Sequence, residues 1–183
     1  VTGESGDVRC WGNKSYDAAQ ISGDGPYANL ISNADGGYVT SARAVSVSKV
    51  AEAGTDVPSH ACALLGEAGA GDGPQGEVWC WGDNSSGQLG NDFNAEISVK
   101  AAPVLRATDG EPLTGMAHIA LMGGASCAIS ADPNEGMYCW GSNAFGLLGN
   151  GSDESVYPLA VEIMSLQGAE ALSSHQHHIC ALH

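Results

Sequence analysis

Six cysteines, six histidines and 21 carboxylates are the groups in this 183-residue chain whose types suit chemistry. A cysteine can be a nucleophile, a metal ligand or half of a disulfide, and the arrangement here favours the last. The cysteines alternate between two kinds. Cys10, Cys80 and Cys139 precede Trp-Gly, whereas Cys62, Cys127 and Cys180 precede Ala and an aliphatic residue. An even, regularly spaced set suits an oxidising compartment better than the cytosol. A glycine-, alanine-, aspartate- and proline-bearing stretch separates Cys62 from Cys80, and Asp132-Pro133-Asn134-Glu135-Gly136 separates Cys127 from Cys139. Short apolar runs flanking such turns read as β-hairpins. Directly opposed residues in antiparallel strands come close enough for a disulfide, so bridges Cys62–Cys80 and Cys127–Cys139 are expected.

The other chemical candidates are weaker. His175, His177, His178 and His183 cluster near the C-terminus, and His175 with His177 would share a face of a strand. No nearby carboxylate or thiol completes that pair if Cys180 is bridged, so no metal site is expected. The acidic loops Asp72–Glu77 and Gly149–Glu154 offer oxygen ligands suited to calcium, but neither follows an Asp-x-Asp-x-Asp-Gly pattern. Solvated turns and no cofactor are the expectation, with calcium the one alternative. Asn13, Asn84 and Asn150 head glycosylation tripeptides. Ser174-His175 belongs to no nucleophile elbow, and there is no phosphate-binding glycine loop or dinucleotide fingerprint. Paired cysteines are lost as nucleophiles. The chain is therefore expected not to be an enzyme.

The totals narrow the partners. A formal net charge of −15 with six Lys and Arg cannot neutralise a phosphate track, which argues against nucleic acid and anionic membranes. No apolar run reaches the roughly 20 residues of a membrane helix. The chain opens on Val1 with no signal-peptide pattern, which reads as a processed, trimmed or partial chain.

The elements that position the cysteines come from a repeat. Cys80 to Asn91 reads Cys-Trp-Gly-Asp-Asn-Ser-Ser-Gly-Gln-Leu-Gly-Asn, and Cys139 to Asn150 copies its frame. Cys10-Trp11-Gly12-Asn13 starts a degraded third copy. Gly82, Gly87 and Gly90 recur as Gly141, Gly146 and Gly149, the signature of positive φ or close backbone approach. Asn84 and Asn143 hold matching places and can staple a loop through their amides. Both faces of the cysteine strands are apolar or small, as in sheets stacked on one another. Helical periodicity is weak throughout, so the fold class is all-β, with about four short strands per repeat.

These residues resemble the regulator of chromosome condensation repeat, a β-propeller family. Its pattern runs Gly-x-x-His-x-x-Ala-Leu, then Gly-x-Val-x-x-Trp-Gly-x-Asn-x-x-Gly-Gln-Leu-Gly. Val78, Trp81, Gly82, Asn84, Gly87, Gln88, Leu89 and Gly90 follow it, and the next copy departs at Leu147. The strand histidine is matched by His60 and His178 and replaced by Ala125. The first copy departs strongly after Gly12 and carries a long insertion up to Val57. The resemblance implies blades of four-stranded antiparallel sheets and a propeller face used as a binding platform. The paired cysteines look like those of secreted bacterial relatives.

Three repeats do not close a propeller of four to eight blades. The chain reads as one propeller-repeat region over 1–183, with blade parts at roughly 1–10, 11–80, 81–139 and 140–183. A half-blade stands open at each end. Joining His183 to Val1 would recreate the hairpin series, setting Cys180 against Cys10 either between copies or across missing sequence. The expected function is a non-enzymatic secreted, extracellular or cell-surface scaffold that binds a protein partner, with the periplasm an alternative location. A head-to-tail ring or filament of further copies is the other reading, and an uncharacterised enzyme the third.

Overall fold

The computed structural model describes residues 6–10, 29–48, 60–66, 76–92, 95–175 and 178–183, and its regular elements are strands. β1 (Arg9–Cys10) pairs with β2 (Asn29–Leu30). β3 (Ala42–Val47), β4 (His60–Leu65), β5 (Glu77–Asp83) and β6 (Ile97–Pro103) form a four-stranded antiparallel meander. β7 (Met116–Leu121), β8 (Ala125–Ser130), β9 (Met137–Ser142) and β10 (Val156–Ile163) form a second. β11 (Ala171–His175) and β12 (His178–Leu182) form a closing hairpin. The only departures from strand and loop among the described residues are 3-10 turns at Ala144–Gly146 and Met164–Leu166.

The repeat maps onto this plan strand by strand. Cys62 lies directly opposite Cys80, and Cys127 opposite Cys139. Both disulfides are formed. In each four-stranded sheet they join the two central strands, so the cysteines mark the middle of a blade. The divisions at 80/81 and 139/140 therefore fall inside β5 and β9, and the boundary between complete sheets runs through 104–115. Cys180 sits exposed on β12 opposite Ser173, outside both disulfides. The expected pairing of Cys180 with Cys10 reaches beyond a single copy and is not formed within this one.

Alternation sends successive side chains to opposite faces, and each face meets a neighbouring layer. Cys62, Leu64, Val78 and Cys80 pack against Met116, Ala128, Tyr138 and Trp140 of the second sheet. The reverse face, with Ala61, Ala63, Leu65 and Trp81, packs on Val8, Ile31 and Val39. Beyond the second sheet, Cys127, Ile129, Met137 and Cys139 meet Leu172, Ile179 and Ala181 of the closing hairpin. Sheets stacked on sheets thus bury both faces of β4, β5, β8 and β9, as the apolar runs require.

The Cys127–Cys139 bridge closes a loop with a sequence separation of 12. Removing it as the double change C127A/C139A is expected to cost about 3 kcal/mol, mostly through the freer unfolded chain. Urea unfolding of the two forms checks this. An unchanged midpoint would show that sheet stacking alone fixes the hairpin.

Candidate functional site

The loops leaving β5 and β9 lie at the same end of the two sheets, and the recurring spacing of their residues follows from how they are stapled. Asn84 Oδ1 accepts from Leu89 N at 3.0 Å, while its Nδ2 donates to Ala95 O at 3.0 Å. Asn143 repeats this, accepting from Leu148 N at 3.0 Å and donating to Glu154 O at 2.8 Å. Gly82, Gly87 and Gly90 and their copies Gly141, Gly146 and Gly149 all have positive φ. At Gly141 even a methyl would lie 2.5 Å from Gly124 O. Asn84 is buried with its amide engaged, which removes it as a glycosylation acceptor. The Gly149–Glu154 loop is closed on itself as well, Asn150 Oδ1 accepting from Ser152 N and Ser152 Oγ from Glu154 N.

The first loop is further locked to the next blade. Gln88 donates to the buried Asp83 carboxylate and accepts from Ser86 N. Its main-chain carbonyl accepts from Trp140 Nε1 at 2.9 Å and from Ser126 Oγ at 3.1 Å. Ser126 also lies 2.7 Å from His60 Nε2. With the serine proton directed at Gln88, its oxygen accepts from His60 Nε2–H, which leaves Nδ1 bare and without a partner among the described residues.

A serine in contact with a histidine invites a catalytic reading, and the geometry rejects it. Both residues are buried, His60 at 1% exposure. Among the described residues no carboxylate orients Nδ1, and complete burial holds the imidazole pKa down to about 3, where it is a poor base. This pair ties two blades together. Sequence inspection missed it because His60 and Ser126 lie on different sheets and Ser126 stands one place after the family's histidine position.

The second loop differs. Leu147 replaces Gln88 and Ser142 replaces Asp83, so the polar lock is lost. Phe145, in the place of Ser86, is fully solvent-exposed at φ 60°, ψ 25°. A cleft of about 670 Å³ opens beside it, walled by residues of both loops, by Gly123 and Gly124, and by His178 and Ile179. The loop-motif residues therefore frame this cleft, although their own side chains are structural.

Of the other expected residues, His178 borders the cleft and faces His175 across the hairpin, with ring centroids 5.9 Å apart. His177, Trp11, Gly12 and Asn13 lie outside the described residues. Among the described residues no group of three or more His, Cys, Asp or Glu side chains is arranged to hold a metal. No helix is long and apolar enough to cross a membrane.

Stacked four-stranded sheets, central-strand disulfides and glycine-closed loops define a β-propeller repeat protein. Residues 75–110 and 134–182 match the family model of the Regulator of chromosome condensation (RCC1) repeat. Curated relatives include Alsin of Mus musculus, 30% identical over 101 residues, which are 55% of this chain and 6% of Alsin. Alsin of Homo sapiens is 30% identical over 99 residues, again 6% of its length. The chain thus spans a small part of these relatives. Among solved structures, human WBSCR16 superposes with a TM-score of 0.68 at 17% identity, over 100% of this chain and 41% of that one. Prp20p of Saccharomyces cerevisiae, described with its binding to Gsp1p and histones, gives 0.66 at 16% identity over 96% and 39%. Both likenesses concern the fold.

Proposed function

We propose that this chain is a non-enzymatic protein-interaction module whose contact surface is the loop end of the blades, centred on Phe145. The observation that carries this reading is Phe145 itself. An aromatic side chain held fully in solvent, on left-handed backbone, costs stability and gains nothing within the chain. Beside an open cleft it has the properties of an interface anchor, and such anchors dominate binding energy. The two disulfides favour an oxidising setting, namely a secreted, cell-surface or periplasmic location.

A photo-crosslinking residue at Leu147, exposed to extract from the native source, is expected to capture one protein. Phe145→Ala should reduce the capture about 30-fold, the loss of a roughly 2 kcal/mol anchor, without lowering thermal stability. Capture unchanged by Phe145→Ala sinks the proposal.

Head-to-tail assembly is the second reading, favoured by the complementarity of the end sheets. β11–β12 occupies the places of a blade's first two strands and β1–β2 those of its last two. Continuation of the polypeptide outside residues 1–183 would supply the same strands. Crosslinking of the chain to itself in the same experiment, with reducible multimers, would favour assembly.

A further inference from the structure

At the other end of the sheets, away from the loop cleft, a second cavity of about 390 Å³ lies between the two complete blades. The link between the blades contributes Arg106, Thr114 and Gly115, and blade two contributes Ser130, Asp132, Glu135 and Tyr138. Residues 131–135 are exposed, so the space opens to solvent at that rim.

The polar inventory of this cavity is unbalanced. Its one cation, Arg106, is already held by Asp109, through Nη2 to Oδ2 at 2.8 Å and Nε to Oδ1 at 3.2 Å. Asp132 uses Oδ1 to accept from Asn134 N and Nδ2, both at 2.8 Å, leaving Oδ2 open. Glu135 uses Oε2 to accept from Ser130 Oγ at 2.7 Å, leaving Oε1 open. Tyr138 is 8% exposed, lines the cavity, and makes no hydrogen bond with its hydroxyl among the described residues. The ring is buried, but the hydroxyl is not among the buried polar atoms that lack a partner, so it reaches the open space of the cavity and is available to a ligand there.

Two acidic side chains with an open oxygen each, plus a phenol oxygen that can accept as well as donate, make an acceptor-rich site carrying net negative charge. The field agrees, since burial and then Glu135 and Glu162 raise the Tyr138 pKa, keeping the phenol neutral. The Asn134 amides lower the Asp132 pKa and keep that carboxyl ionised. Anions are disfavoured here, and no metal-ligand group of three forms among the described residues. A guanidinium suits the chemistry of these groups, because its planar fork offers five donors and can bridge carboxylates while lying against an aromatic ring.

We infer that the cavity between Arg106–Gly115 and Ser130–Tyr138 is a binding site for a guanidinium group, presented by an arginine side chain of a protein partner. It is separate from the Phe145 surface and does not depend on that reading.

The test uses the intact, disulfide-bonded protein labelled with ¹⁵N and titrated with arginine amide, lysine amide or an acetyl-Gly-Arg-Gly amide peptide. The amides of Ala131, Glu135 and Gly136 are expected to shift saturably with arginine amide and at least as tightly with the peptide. Lysine amide should bind several-fold more weakly. Glu135→Gln, an exposed change that leaves the core untouched, should weaken arginine binding about tenfold, as expected for a charge-assisted contact. Absence of saturable shifts, equal response to lysine amide, or unchanged binding by Glu135→Gln would each overturn the assignment. Binding of arginine amide without binding of the peptide would overturn the protein side chain as its source.

Discussion

Trp140→Ala is expected to lower the unfolding free energy by roughly 4 kcal/mol, the cost of emptying a large core site. Trp140 is wholly buried between the two complete blades, and its Nε1 donates to Gln88 O. It also packs on Gly90, where an added methyl would lie 2.9 Å from the indole Cδ1 and 2.7 Å from Val104 Cγ1. The change therefore removes apolar contact, a buried hydrogen bond and the roof of a glycine turn together. Trp140→Phe separates these contributions, since it keeps most of the apolar volume and deletes the N–H. It should cost about 1 kcal/mol more than Trp81→Phe, because the Trp81 N–H is buried without a hydrogen-bond partner. Chemical unfolding of the four proteins decides the matter. Equal costs for the two phenylalanine variants would mean that the Gln88 carbonyl does not latch the blades.

The contrast between matching glycines shows what repeat spacing can and cannot reveal. Gly90 and Gly149 occupy the same place in the motif and have nearly the same φ, 69° and 68°. Yet a methyl at Gly149 meets nothing within 4 Å, whereas one at Gly90 collides with the next blade. Local backbone demands were readable because they recur wherever the motif does. Neighbour packing was not, because it depends on which strand lies across the loop.

The same division runs through the whole molecule. Opposed cysteines, stapling asparagines and the all-β plan follow from residue type and offset, which act over a few residues. The His60–Ser126–Gln88 tie joins positions 66 and 38 residues apart in its two contacts, so no local pattern announces it. Leu147 stood in the sequence only as a departure from the repeat, and Phe145 at a position the motif leaves free. Their meaning appears once the cleft beside them is known. Tyr138 sits two residues from the Trp-Gly pair and reads as an ordinary strand aromatic. Its free hydroxyl matters because the blade link brings Arg106 and Thr114 opposite it.

Acidification should loosen the same inter-blade tie. In the folded protein His60 has its pKa lowered to about 3 by desolvation, against 6.5 ordinarily. Below pH 6.5 the unfolded chain therefore binds a proton that the folded chain refuses. Stability is fully present above pH 6.5 and falls as the pH drops towards 3, by up to about 1.4 kcal/mol per unit. The loss is about 2 kcal/mol at pH 5 and about 4 kcal/mol near pH 3.5. Carboxylates also titrate at the lower end, so the comparison needs His60→Gln, which keeps an amide donor and removes the titrating ring. Urea midpoints at pH 7.5, 6 and 5 should converge between wild type and variant as the pH falls. Parallel pH dependence in the two proteins would rule out His60 as the source. Protonating His60 would place a second N–H at Nδ1, which has no acceptor among the described residues. Holding that charge between the blades is what the folded protein resists.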